Sequence, residues 1–362
     1  MKMSTIELPI LVSYPEQVGY VVSILNKYVP KHYKKGIQVY RGSVNRDKQV
    51  SNREIETTIK NNVPKNFVIN LHAPFIVTGP KPEYNFTSDK VENMMLENIS
   101  LAESINADSL IIHLNSTFYH PNRLADSSNS KENFELFRWK NRWNDYKTVK
   151  EEVIDPAYDL LKNISRKTRT KISVENLLIP IGGDSTKNPR NLLYDPKLNT
   201  YESIIDFLDN FSSFKNVGFC FDTAHYEITQ NTINNLIKKY GKRITQEDIM
   251  KEGFIGLYPE KFSLQPNLKD VIKELISKNA LFDLQIANSN GGWVKDLKLI
   301  EEGSPMTDDA SRTKYFEVLE YVIKNSPNTT ISFDIEERDY MNRINQISSL
   351  KLFFEYLSSK GL

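Results

Sequence analysis

The chain has 362 residues, of which 39% are apolar, 11% aromatic and 26% charged, a globular composition that excludes a disordered or fibrous protein. A net charge of +1 supplies no global pull toward nucleic acid or an anionic membrane, and the lone Cys220 excludes an internal disulfide and a thiolate metal cluster. The opening stretch "MKMSTIELPILVSYPEQ" lacks a long apolar segment and no run reaches the length of a membrane span, so the expectation is a cytoplasmic protein without a membrane partner.

Short apolar runs bounded by turn residues mark the candidate strands. In chain order they are "IELPILVSY" (6–14), "GIQVYRG" (36–42), "NFVINLHAPF" (66–75) and "DSLIIHLNS" (108–116). They continue with "KISVENLLI" (171–179), "VGFCFDTAH" (217–225), "LFDLQIANS" (281–289) and "TTISFDIEE" (329–337). Between them lie stretches such as "PEQVGYVVSILNKYV", "DKVENMMLENISLAESI" and "TYESIIDFLDNF", with apolar residues at the three- and four-residue spacing of amphipathic helices. "NQISSLKLFFEYLSS" closes the series after the eighth strand.

Eight strands alternating with helices predict one closed α/β (β/α)8 TIM barrel over residues 1–362. An open doubly wound sheet would explain the same alternation, but no Gly-rich phosphate turn follows the first strand. Two intervals, 117–150 and 228–280, are long for barrel connections. Each follows a strand, so each is expected to begin on the catalytic face as a lid-like or substrate-covering insertion.

Polar residues fall at the C-terminal ends of consecutive strands, where barrels of this kind hold their active sites. The third strand ends at His72 and the fourth at His113; the fifth carries Glu175 and the sixth Asp222, with His225 three residues on. The seventh carries Gln285, and the eighth Asp334 and Glu336. Of the remaining histidines, His32 reads as helix surface and His120 as loop. Taken singly, each has a structural reading: Asp222 is a good helix N-cap, and a buried imidazole is commonly just hydrogen-bonded. Together they agree on one end of six strands. Carboxylates mixed with imidazole and an amide oxygen suit a divalent ion of the Mn, Mg, Co or Zn kind.

The segments "NLHAPF", "LIIHLNS", "ISVENL", "FCFDTAHY" and "LQIANSNGG" resemble the xylose-isomerase-like barrel superfamily, over residues 66 to 340. That group includes sugar and sugar-phosphate isomerases and epimerases, and apurinic endonucleases of the endonuclease IV type. The endonuclease branch implies a three-zinc site, in which His72, His113 and Glu175 match the first zinc, Asp222 the second and His225 the third. Gln285 stands where that branch has His. In the following Asp-x-His element Asp296 remains, but Lys298 replaces the imidazole. A protonated lysine has no lone pair to donate, which argues against the full cluster.

The isomerase branch implies a single ion held by Glu175, Asp222, Gln285 and either Asp334 or Glu336. It further implies a carbohydrate substrate, sugar, sugar phosphate or keto acid, and proton transfer through an enediolate, with Glu175 and Asp334 or Glu336 as the catalytic carboxylates. His225 is then expected to meet a substrate hydroxyl, while His72 and His113 line the pocket or bind a second ion. Trp293 and Lys295 would close over substrate, and Lys298 would meet a phosphate or carboxylate unless it is a solvated loop residue. The alternative is a metal-dependent phosphodiesterase acting on DNA. It draws on the His72–His113 pair and on "FRWKNRWNDYK" (137–147), which also reads as an amphipathic lid helix. A barrel that has lost catalysis and only binds a ligand is the third reading. Nothing in the sequence speaks to oligomeric state.

Overall fold

The structure, a computed structural model, describes residues 4–11, 14–41, 50–74, 85–114, 116–117, 145–177, 193–194, 198–252, 257–289, 303, 305–306, 309–337 and 340–361. Eight parallel strands close on themselves: β1 (Thr5–Leu11), β2 (Lys34–Tyr40), β3 (Val68–His72), β4 (Ser109–His113), β6 (Lys171–Glu175), β8 (Val217–Asp222), β9 (Leu281–Gln285) and β10 (Thr330–Ser332). Two short strands, β5 (Ser116–Thr117) and β7 (Leu193–Tyr194), pair antiparallel outside the barrel and tie the beginning of the first long interval to the loop after β6. All eight expected barrel strands are present, and all but β2 are shorter than their apolar runs. The runs overshoot because the residues after each strand stay buried as they turn off the rim, as Leu177, Ala224 and Ala287 do.

Strand side chains alternate between the helix shell and the barrel interior. The outward set is apolar: Leu110, Ile112, Ile172, Val174, Phe219, Phe221 and Leu284 are all buried against the helices. Helix α1 (Pro15–Tyr28) begins with Pro in its first turn, and α2 (Asn52–Asn62) is started by a capping box between Ser51 and Glu54. One core cluster runs through the whole shell.

The inward set is polar. Asn70 on β3 donates to Glu7 Oε2 on β1 (3.0 Å) and to Asp283 Oδ1 on β9 (3.1 Å), and Ser109 Oγ on β4 donates to Asp283 Oδ2 (3.0 Å). β3 and β9 are not neighbours in the sheet, so these bonds cross the barrel interior.

The interval 228–280 differs from the expected lid. Most of it is helical: α7 (Thr223–Tyr240), α8 (Gln246–Lys251) and α9 (Leu268–Ser277), counting α3 (Asp89–Ser104), α4 (Tyr146–Val149), α5 (Asp155–Ser165) and α6 (Tyr201–Phe211) before them. The segment between α7 and α9 packs on α7 in a small core separate from the main one, Ile233 and Leu236 of α7 with Ile244, Ile249 and Leu257. It returns along α7, where Tyr226 Oη donates to the Pro266 carbonyl (2.9 Å) and Gln265 Oε1 accepts from the Tyr201 amide (2.7 Å). Its apolar residues thus serve packing against neighbouring helices. Of the interval 117–150, residues 118–144 lie outside the described residues, as do His120 and most of "FRWKNRWNDYK". His32 is exposed, in the turn after α1 rather than on the helix itself.

Candidate active site

Glu175 is the last residue of β6 and only 3% exposed. An acid so placed is costly unless its charge is matched, and the matching groups come from neighbouring strand ends. His72 Nε2 lies 2.9 Å and His113 Nε2 3.3 Å from Glu175 Oε2. On the other side, His225 Nδ1 lies 3.6 Å from Glu175 Oε1 and 3.8 Å from Asp222 Oδ1. Two groups of potential metal ligands result, His72–His113–Glu175 and Glu175–Asp222–His225, each with its ligand atoms within 4.8 Å of one another. Glu175 belongs to both.

Gln285 completes the arrangement. One terminal atom of its amide lies 3.1 Å from Glu175 Oε1 and 3.3 Å from Asp222 Oδ2. If nitrogen occupies that position, the contacts are hydrogen bonds; if oxygen does, three oxygens face one another, which a cation among them or a proton on Asp222 would relieve. The other terminal atom, Nε2 in the second case, is 3.4 Å from both Gln38 Oε1 and Tyr40 Oη. His72 poses the same question. Its Nδ1 is 3.0 Å from the Ala73 carbonyl while Nε2 faces Glu175, so both ring nitrogens meet oxygens. A doubly protonated ring satisfies both contacts. A neutral ring with its proton on Nδ1 turns the Nε2 lone pair onto Glu175, which a cation between them would resolve. The donor set therefore fits a divalent ion.

The acids differ in charge balance. Burial opposes ionisation of Glu175, but the imidazoles of His113 and His72 outweigh it and hold the carboxyl well below the usual carboxylate range. Burial lowers the basicity of His113 against the opposing pull of Glu175. For Asp222, burial and the Glu175 charge overcome the help of His225 and push the carboxyl up to about 7. Asp334 is pushed up to about 6, again by burial and then by Glu175. Like charges converging in a dry site produce this pattern.

Of the two strand-eight acids, Asp334 is the one drawn into the group: its Oδ2 accepts from Tyr40 Oη (3.0 Å), and the Tyr40 ring stacks on His72 with centroids 4.0 Å apart. Glu336 is exposed and lies beside Gly303, whose carbonyl accepts from the Glu336 amide (2.8 Å). The period-two expectation that both face inward does not extend past Ser332, where the strand ends. Trp293, Lys295, Asp296 and Lys298 lie outside the described residues.

Sequence reasoning missed Tyr40, Gln38 and Asn176. The signal for the first two was present in "GIQVYRG", where Gln and Tyr sit two apart and alternate with the apolar Ile37 and Val39. Asn176 follows Glu175 directly and works through both ends: its amide donates to the Asp222 carbonyl (3.0 Å), and its Oδ1 accepts from the Asp222 amide (2.7 Å). Its own carbonyl faces His225 Nδ1 at 2.8 Å, which fixes the Asp222–His225 turn against the end of β6.

No protein-family model matches the chain, and no curated protein does. Solved structures do. Endonuclease IV from Thermus thermophilus aligns with 98% of this chain and 99% of its own at 12% identity and a TM-score of 0.51. A D-tagatose 3-epimerase-like protein aligns over 100% of both chains at 16% identity and a TM-score of 0.50. The expected resemblance to xylose-isomerase-like barrels is thus met at the level of the fold.

Proposed function

We propose that the protein is a divalent-metal-dependent isomerase or epimerase acting on a small carbohydrate, a sugar, sugar phosphate or keto acid. The observation that carries the reading is the convergence of Gln285 on Glu175 and Asp222, a mixed amide and carboxylate donor set suited to one hard cation. Glu175, Asp222 and Gln285 would hold the ion, with Asp334 beside them. When bound, it would polarise a substrate carbonyl and stabilise charge developing on the neighbouring oxygen.

The protein groups divide the remaining work by charge balance. Glu175, kept ionised by two imidazoles, is a strong ligand and a weak base. Asp334, pushed up to about 6, can take a proton from carbon next to a carbonyl near neutral pH and return it to the adjacent carbon. Tyr40 Oη holds the Asp334 carboxyl in place. His225, with Nδ1 directed at the Asn176 carbonyl, would meet a substrate hydroxyl.

The test combines metal analysis with solvent exchange. One Mn, Mg, Co or Zn ion per chain, and uptake of deuterium from heavy water into a ketose or aldose, are the expected results. Replacing Asp334→Asn is expected to slow that exchange about 10²–10⁴-fold, the usual worth of a positioned acid–base group. The second reading, a phosphodiesterase acting on DNA, is favoured by the sharing of Glu175 between two ligand groups, since a bridging carboxylate can hold two ions. Two or three zinc ions per chain with cleavage at apurinic sites, and no exchange, would replace the first reading with the second.

A further inference from the structure

Below the site, buried amides form a chain whose direction is fixed from one end. Asn70 cannot turn over: its Oδ1 accepts from the Ser109 backbone amide (3.1 Å), so its nitrogen must face Glu7 Oε2 (3.0 Å) and Asp283 Oδ1 (3.1 Å). Glu7 Oε2 is therefore an acceptor, and Glu7 Oε1 receives Gln38 Nε2 (3.2 Å). Gln38 then turns its oxygen toward Gln285 Nε2 (3.4 Å), and in this orientation the Gln285 oxygen faces Glu175 and Asp222, whereas the turned-over amide would donate to both carboxylates. Glu7, Gln38, Asn70 and Gln285 are all fully buried, so water does not compete for these contacts.

We propose that Glu7 is a positioning residue: through Gln38 it sets the direction of the Gln285 amide, so that oxygen rather than nitrogen is offered to a cation among Glu175, Asp222 and Gln285. A carboxylate at position 7 accepts only, and each amide above it must point nitrogen-down and oxygen-up. A hydrogen-bond donor at the Glu7 Oε1 position reverses the chain. Gln38 would turn its oxygen down and its nitrogen up, and Gln285 would donate to the two carboxylates instead of joining them as a ligand. Burial and the Asp283 charge raise the Glu7 carboxyl well above the ordinary range, and a proton on Oε1 would reverse the chain, so the direction argued here is that set by the ionised carboxyl. The inference rests on the proposed metal site and adds the origin of its geometry to it. Partners in this outer position commonly change metal affinity 10–100-fold.

Glu7→Gln makes that reversal without changing shape, because Asn70 still requires an oxygen at Oε2 and so places the new nitrogen at Oε1. Titrating Mn2+ into purified protein by calorimetry, E7Q is expected to bind about 10–100-fold more weakly than the parent, while the melting temperature without ions does not fall. Q285E offers an oxygen whichever way the chain runs, and its carboxylate prefers the reversed direction. In that background E7Q is expected to leave Mn2+ affinity unchanged or raise it. If E7Q does not fold, Q38M interrupts the chain in its middle, and is expected to weaken Mn2+ binding in the parent but not in Q285E. Equal Mn2+ affinity of E7Q and the parent would overturn the assignment, as would the same loss in the Q285E background, the mark of a general structural defect. A parent that binds no divalent ion would overturn the metal site itself, and the positioning role with it.

Discussion

Asp222 shows how much one residue can carry. The plain reading of "FDTAH" as a strand end followed by a capped helix holds on one oxygen, which leaves the other for the proposed role as a ligand. Oδ1 accepts from the His225 amide (2.8 Å) and caps α7, while Oδ2 faces Gln285 (3.3 Å). The two roles separate by substitution. Asp222→Asn keeps a capping oxygen, so it is expected to leave the helix intact while weakening divalent-ion binding by at least tenfold in a calorimetric titration. Asp222→Ala removes the cap as well; the helix then loses about 1 kcal/mol, read as a lower denaturation midpoint than that of D222N. Glu175→Gln is more severe for binding, because it removes the carboxylate common to both ligand groups, and ion uptake measured by elemental analysis is expected to disappear. These residues were legible because each is an acid or imidazole at the end of an apolar run. Tyr40 was not, since a tyrosine on a buried strand looks like core until its hydroxyl is seen donating to Asp334.

At the level of elements, legibility followed periodicity. The eight strands stood out because their outward faces are continuous apolar stripes, and their order in the barrel follows their order in the chain. The polar inner face is what the sequence hid. Glu7, Gln38, Asn70, Ser109, Ser173 and Asp283 each interrupt a mostly apolar run, and only closure of the barrel brings them together. The interval 228–280 reads differently in the structure, for the opposite reason. Length alone suggested a lid, whereas Ile233, Leu236, Ile249 and Leu257 bury one another and make the excursion a packed subassembly. Cutting that subassembly open tests its part in the fold. Ile249→Ala, at a fully buried position, is expected to cost about 2–5 kcal/mol in chemical denaturation while leaving ion affinity unchanged, because the site sits on the strand ends and not on this segment.

Across the whole molecule, the barrel concentrates acidic groups along its axis, with Glu7 and Asp283 inside and Glu175, Asp222 and Asp334 at the mouth, and this couples stability to both pH and ions. Asp222 and Asp334 have folded-state values near 7 and 6, above the ordinary carboxylate range of about 4, so the folded chain binds more protons than the unfolded one between those limits. Their contribution to stability is therefore present at low pH and is lost as pH rises from about 4 through about 7. Glu175 has the opposite sign, its contribution being lost only as pH falls below the ordinary range, outside this window. Asp283, pushed up to about 6 by burial inside the barrel, adds to the decline but does not touch the proposed ion site. The melting temperature of ion-free protein is accordingly expected to fall between pH 5 and pH 7.5, by roughly 1–2 °C for each kcal/mol lost. A divalent ion binds the ionised carboxylates and replaces their protons, so the rise in melting temperature on adding Mn2+ should be small at pH 5 and large at pH 7.5. Calorimetric scans at the two pH values, with Mn2+ and with a chelator, measure the difference directly. An equal rise at both would mean that the ion binds away from Asp222 and Asp334. In D222N the pH dependence should flatten, leaving the smaller slope due to Asp334, Asp283 and Glu7, all raised by burial.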